Sequence, residues 1–317
     1  MPLTHKVRKV ICMKKTIHIL LFPALCSLMV LLLAEAAATR AAALEALELC
    51  AHTVIPALFP PLAVSALLME LGFGAWAGPH LARWMTPLFR LPGSAGSALL
   101  LGLVGGYPIG ARTAAALYRS RLLTRQEAER LLTFCNNSSP VFFISVLGNG
   151  VFGSVRAGVW LWLIHVAAAT LTGALLSRRS ASAPRQAPRL DSRRDVGVCS
   201  ALVQAVRESA AGMLNLCGFV VLFYVLSRPL AAVGGRTGAA LVGLTELFSL
   251  TPLVSADTFG FILSAACSGW GGLSVLFQTA AVLEDSGLSL RPCLVGKALH
   301  GVLSAALAAV LAGYVLG

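Results

Sequence analysis

Three stretches of the sequence place polar groups inside apolar runs, and a fourth isolates a carboxylate. The first is Gly105-Gly106-Tyr107-Pro108-Ile109-Gly110, with Arg112 two residues later. The second is Asn136-Asn137-Ser138-Ser139-Pro140, where four amide or hydroxyl side chains precede a proline. The third is Ser268-Gly269-Trp270-Gly271-Gly272, with Gln278 six residues on. Glu246 stands alone in the apolar stretch 241–250. Together these residues suit solute binding inside a membrane. A broken helix offers free N–H groups and a positive dipole end without a buried lone charge. Glycine lets the backbone approach a ligand closely. Arginine can hold a carboxylate with two parallel hydrogen bonds. A carboxylate at membrane depth is costly and marks a functional site by default, so Glu246 is read as a coupling group for a proton or a sodium ion, or as a partner for Arg112. Plainer uses exist for the same residues: glycines pack helices in membranes, an arginine can snorkel to the interface, and Glu246 can sit near a helix end.

Such groups need a scaffold of spanning helices, and the composition supplies one. Of 317 residues, 57% are hydrophobic and 12% charged, with a mean hydropathy of +0.81. A soluble domain carries about 25% charged residues, so half that charge leaves too little polar surface for water. At roughly 20 apolar residues per spanning helix, the chain accommodates on the order of six to eight membrane segments. The net charge of +12 sits mostly between apolar segments and reads as cytoplasmic loops under the positive-inside rule. No aromatic-basic alternation points to nucleic acid. The eight cysteines are scattered without a C-x-x-C pair and read as small core residues. His52, His165 and His300 read as packing or interfacial residues, with no metal-ligand spacing. No Walker loop, G-x-S-x-G or H-E-x-x-H is present, so neither an enzyme nor a cofactor is expected.

Along the chain, Lys14 and Lys15 precede an apolar run at 17–34, read as a retained first helix. Residues 49–69 form an apolar segment containing Pro56, Pro60 and Pro61. Residues 73–90, with Trp76 and Trp84, read as an interfacial amphipathic helix. Thr124 and Glu127 form a capping box that opens the helix ending at the Asn-rich break. Residues 155–176 span. In the second half, 201–226 is a long helix, 259–283 is interrupted by glycines, Ser289 is the expected cap and 294–316 is the last helix.

The two halves share this outline, which suggests a repeat. The glycine break at 105–106 precedes Thr124 by nearly the distance that Gly271-Gly272 precedes Ser289. The first tip is basic (Arg119, Arg121, Arg125) and the second acidic (Glu284, Asp285). By the positive-inside rule the tips face opposite sides, as an inverted repeat requires, and the glycine breaks become re-entrant hairpins.

Residues 105–143, GGYPIGARTAAALYRSRLLTRQEAERLLTFCNNSSPVFF, resemble the YlbJ family of sporulation integral membrane proteins, which carries the nucleoside-recognition or Gate domain. IPALFPPL at 55–62, GGLSVLFQ at 271–278 and ALHG at 298–301 support the resemblance. At the second break the family's Asn-Ser-(Gly/Ser)-Pro is matched by Asn137-Ser138-Ser139-Pro140. The resemblance implies a fold similar to concentrative nucleoside transporters, a link to dipicolinate movement toward the forespore, and residence in the outer forespore membrane of a sporulating bacterium.

The expected protein is therefore an all-α polytopic integral membrane protein with an inverted repeat and broken, re-entrant helices. Its expected segments are a basic N-terminus and first transmembrane helix at 1–45, a Gate-like repeat with a connecting helix at 46–176, an Arg/Pro-rich cytoplasmic linker at 177–197, and a second repeat at 198–317. Its partners are the lipid bilayer, a small-molecule solute and a coupling H+ or Na+, with a homo-oligomer compatible. The solute is a small anionic metabolite with dipicolinate leading. A nucleoside, or a non-transporting scaffold of a sporulation complex, stands as the alternative.

Overall fold

The structure is a computed structural model that describes residues 21–178 and 197–317. The basic N-terminus and most of the Arg/Pro-rich linker fall outside these residues. Among the described residues the regular elements are all helical. Five helical runs are long and apolar enough to cross a membrane, at Ala36–Glu70, Val155–Ser177, Val198–Ala231, Thr258–Ser286 and Arg291–Leu316. The protein is a multi-pass integral membrane protein, with its helices in contact with lipid.

The described residues divide after Glu45 into two units. The first contains α1 (Leu21–Ala34) and the start of α2 (Ala36–Leu49). In the second, a π-helical turn at Cys50–Val54 leads into α3 (Ile55–Glu70), where Pro60 and Pro61 lie within the helix. Then comes α4 (Phe73–Phe89), whose Trp76 and Trp84 are exposed, as an interfacial helix requires.

Next, α5 (Ala95–Gly105) and α6 (Ile109–Arg119) are joined by only residues 106–108. A Cβ on Gly102 would lie 3.0 Å from the Cα of Gly110, so the two helices fold back on one another as a tight hairpin. Gly106 turns the tip with φ +85°, a conformation that only glycine adopts without strain. Helix α7 (Arg125–Leu131) opens with the expected capping box: Thr124 Oγ1 accepts from the Glu127 N–H and Glu127 accepts from the Thr124 N–H. It unwinds at residues 136–139 and continues as a π-helical segment at Phe142–Val151. Helix α8 (Val155–Ser177) returns.

The second half begins with a long helix, α9 (Val198–Ala231). It is followed by α10 (Gly235–Thr245) and the single turn α11 (Leu247–Leu250). These also form a hairpin: Leu250 Cδ2 would touch a Cβ on Gly243 at 3.0 Å. Arg236 at its start pairs with Asp257 beyond its end at 3.4 Å. Helices α12 (Thr258–Trp270) and α13 (Gly272–Leu283) form a broken helix, and α14 (Arg291–Leu316) closes. The last helix begins two residues after Ser289, whose Oγ accepts from the Arg291 N–H at 3.3 Å. It crosses α12 closely, with a Cβ on Gly269 falling 2.8 Å from the Cα of Gly301, the small-residue contact typical of membrane helices.

The two tips expected on opposite faces lie together. The Ser289 N–H donates to Glu129 Oε1 at 3.0 Å, Glu129 pairs with Arg125 at 2.8 Å, and Leu122, Leu123, Leu283 and Leu288 share one core cluster. The opposite end of the bundle holds the Arg236–Asp257 pair, the Phe152–Phe261 ring contact at 5.8 Å and Arg156, which donates to the Tyr314 carbonyl at 2.8 Å. Helices α12 and α13 thus pass from one end to the other, and the break at Gly271-Gly272 is not the tip of a re-entrant hairpin. The hairpin facing α5–α6 from the opposite end is α10–α11. A two-residue glycine motif marks both a hairpin tip and a through-going break, so sequence spacing alone paired the wrong elements.

Candidate functional site

Four interruptions of helix meet halfway along the bundle. They are the α5–α6 tip, the unwound segment after α7, the α10–α11 tip at residues 245–246, and the α12/α13 break. The first three, with the part of α13 beyond the break, line one cavity. Gly106 and Tyr107 contribute from the first tip, and Ser138, Ser139 and Phe142 from the unwound segment. Glu246, Leu247 and Phe248 come from the second tip, and Val275 and Gln278 from α13. Leu58 of α3 and Leu216 of α9 complete the wall. The lining is mostly apolar with a few placed polar groups, the usual character of a small-molecule site.

Each polar group is positioned by a specific local feature. Glu246 is 2% exposed and extended (φ −149°, ψ 129°). Its carboxylate accepts from the Ser249 N–H and so caps α11. Gln278 donates through Nε2 to Ser274 Oγ at 3.1 Å, while its buried Oε1 has no protein partner. Asn137 is turned away and donates to the Phe134 carbonyl at 2.9 Å. Gly105, Gly110 and Gly272 serve close packing. A Cβ on Gly110 would fall 1.9 Å from the Cys135 carbonyl oxygen, and one on Gly272 would fall 2.9 Å from that of Thr245.

Arg112 lies elsewhere. It lines a second cavity, with Pro108, Gly212, Asn215, Phe219, Ala281 and Val282. Both of its terminal nitrogens donate to the Glu208 carbonyl at 3.3 Å. It makes no pair with Glu246. Leu216 and Gln278 line both cavities, so the two spaces stand in series. The Arg112 cavity lies between α6, α9 and α13, toward the end that carries the tips at residues 119–129 and 284–289.

The interruptions are tied together by a residue that sequence reasoning passed over. Lys297 of α14 is 1% exposed. Its Nζ donates to Tyr107 Oη at 3.0 Å and to the Asn136 carbonyl at 3.1 Å. Tyr107 Oη donates in turn to the Ser268 carbonyl at 2.6 Å. Asn136 Nδ2 donates to Thr279 Oγ1 at 2.8 Å. One chain of hydrogen bonds therefore joins the first hairpin, the unwound segment after α7 and both parts of the α12/α13 helix. His165 and His300 support it from behind, their rings 4.3 Å apart. His165 Nε2 accepts from the Ser138 N–H at 3.1 Å, and His300 Nε2 lies 3.0 Å from the His165 carbonyl. This orients the segment that presents Ser138 and Ser139 to the cavity. The signal for Lys297 was visible, since an ionisable residue inside a spanning helix is a functional candidate.

Residues 51–157 match the Gate family model, described as nucleoside recognition. Over 298 residues the chain is 28% identical to the sporulation integral membrane protein YlbJ of Bacillus subtilis (strain 168), an alignment covering 80% of this chain and 72% of the relative. These similarities bear out the resemblance carried by residues 105–143. No solved structure matches the chain at a significant level.

Proposed function

We propose that the chain transports a small anionic metabolite across the membrane, with dipicolinate as the substrate during endospore formation and the outer forespore membrane as the place. The observation that carries this reading is the central cavity, lined by three helix interruptions and by Val275 and Gln278 of α13. Irregular backbone at membrane depth persists where it lines a cavity or is covered by protein, and transporters place their sites where discontinuous helices meet. No catalytic step is part of this reading.

The two cavities in series suggest a path. A carboxylate enters beside Arg112 and Asn215, passes Gln278 and Leu216, and reaches the hydroxyls of Ser138 and Ser139. An anion next to an ionised Glu246 is repelled, so Glu246 must be neutralised by a proton or a bound cation during passage, which makes it the coupling group. The hairpins α5–α6 and α10–α11, opening to opposite ends, support an inverted repeat in which α3, α5–α6, α7 with 142–151, and α8 correspond to α9, α10–α11, α12–α13 and α14. Rocking of one repeat against the other around the cavity then provides alternating access.

Uptake of labelled dipicolinate into liposomes containing the purified protein tests this reading. Saturable uptake, reduced at least tenfold in Arg112→Ala, is expected. Uptake of uridine in place of dipicolinate would move the substrate to nucleosides, for which the Gate match and the carboxamide of Gln278 speak. Flux of neither through folded protein would leave the scaffold role.

A further inference from the structure

We infer that the side chain of Lys297 acts as a tethered internal cation at the point where a transporter of broken helices would otherwise hold an alkali ion, so that this meeting point takes no sodium. In such folds unwound carbonyls and half-helix C-terminal ends coordinate Na+. Here the unwound carbonyl of Asn136 is 3.1 Å from Nζ, and Ser268, in the last turn of α12, is reached through the Tyr107 hydroxyl.

The direction of each hydrogen bond makes the lysine a donor. Tyr107 has one hydroxyl proton, and it goes to the Ser268 carbonyl at 2.6 Å; the oxygen therefore turns a lone pair toward Nζ. The Asn136 carbonyl can only accept. An ammonium has three donors and no acceptor, which fits both contacts. The ring face of Tyr107 adds a third attraction, its centroid 4.6 Å from Nζ, within cation–π range. The C-terminal end of a helix carries partial negative charge that favours a cation, and α12 ends here. Among the described residues no carboxylate pairs with Lys297, and Glu246 is engaged in capping α11. Nζ is thus held by the oxygens and the π face that would hold a metal cation.

The space is filled as well. Gly271 adopts φ +87°, and a Cβ there would lie 3.3 Å from Lys297 Cε and 3.4 Å from Tyr107 Oη. A sodium ion bound to the same carbonyls would sit within roughly 4 Å of Nζ, where two like charges in a low-dielectric interior repel strongly. The consequence for transport rests on the function proposed above: sodium is excluded here as a coupling ion, which leaves the coupling to a proton at Glu246. The geometry itself does not depend on that function.

The test is the melting temperature of the purified full-length protein in NaCl and in choline chloride of equal ionic strength, with no solute present. The wild type is expected to melt at the same temperature in both. Lys297→Ala vacates the site; it is expected to melt lower in choline and to recover saturably with NaCl, by roughly 5 °C at a hundredfold excess over the dissociation constant. Lys297→Met, which fills the space without charge, is expected to be destabilised without a sodium response. A saturable sodium-specific rise in the wild type overturns the inference, as does a Lys297→Ala protein that melts, or aggregates, identically in the two salts. Because no transport is measured, a failed uptake assay leaves this result standing, and the reverse holds too.

Discussion

Tyr107→Phe removes a single oxygen and isolates the energetic role of the hub. In the wild type that oxygen donates to the Ser268 carbonyl at 2.6 Å and accepts from Lys297 at 3.0 Å. Phenylalanine keeps the ring, and with it the Nζ–ring contact at 4.6 Å. Two partners lose a bond: a buried carbonyl and a buried lysine N–H, on residues 0% and 1% exposed. Leaving a buried polar group unsatisfied costs ~1–3 kcal/mol, and more for a charged one. Two such groups together give ~3–5 kcal/mol. For a chain of this size about 2 °C accompanies each kcal/mol, so the expected loss is roughly 6–10 °C. Tryptophan fluorescence during thermal unfolding in nanodiscs reads this directly, with Tyr314→Phe as a control because Tyr314 is exposed. If Tyr107→Phe melts within 1 °C of the wild type, the hydroxyl does not bridge Ser268 and Lys297, and the first hairpin, the segment after α7 and the α12/α13 helix are not pinned as described.

Other consequences can be checked alongside it. Gly110→Ala pushes a methyl against the backbone carbonyl of Cys135, at 1.9 Å for an unrelaxed Cβ, and is expected to abolish folded protein in size-exclusion chromatography. Gly218→Ala, with open space around it, should be neutral. Glu246→Gln keeps an oxygen to cap α11 but cannot ionise. Its melting temperature should stay within about 3 °C of the wild type while uptake loses its pH dependence, and retained pH dependence would exclude Glu246 as the coupling group. Single cysteines replacing Ser120 and Ser286, in an otherwise cysteine-free protein, should react with an impermeant maleimide from one side of the membrane, and a cysteine replacing Arg236 from the other. Labelling of positions 120 and 286 from opposite sides would refute the arrangement of the tips.

Much of the fold was legible because local chemistry dictated it. Thr124 and Glu127 can satisfy each other only at a helix start. Gly106 and Gly271 mark chain reversals or breaks through their positive φ. Pro140, after four polar residues, fixes the place where the helix after Thr124 unwinds. The partner of the first hairpin was not legible, since its counterpart turns at Thr245-Glu246 within LTELF, where no glycine or proline signals a tip. The glycines at 271–272 drew the comparison instead. The charge contrast between the tips likewise misled: Glu284 and Asp285 lie at the same end as Arg119 and Arg125, where opposite charges are neighbours.

For the site, the residues at helix interruptions were readable one by one, but their convergence was not. Glu246 and Gln278 lie 32 residues apart in sequence and face the same cavity. Arg112, only five residues from Tyr107, faces a different one, because Tyr107 sits at the hairpin tip and Arg112 on α6. His165 and His300 read as packing residues in apolar helices, and Lys297 went unread. Their role depends on what lies across from them, which a single sequence does not record.

The central claim is that solute crosses through the cavity lined by the two hairpin tips, the unwound segment after α7 and α13. Ser139→Phe fills that cavity while leaving the bonds among Tyr107, Lys297, Asn136 and Ser268 in place. The decisive measurement is dipicolinate uptake into liposomes by this variant, reconstituted at the same density as wild type and shown to be folded by its melting temperature. Saturable uptake by the wild type and at least a tenfold loss in Ser139→Phe is the result expected here; equal uptake by the two proteins would contradict the account.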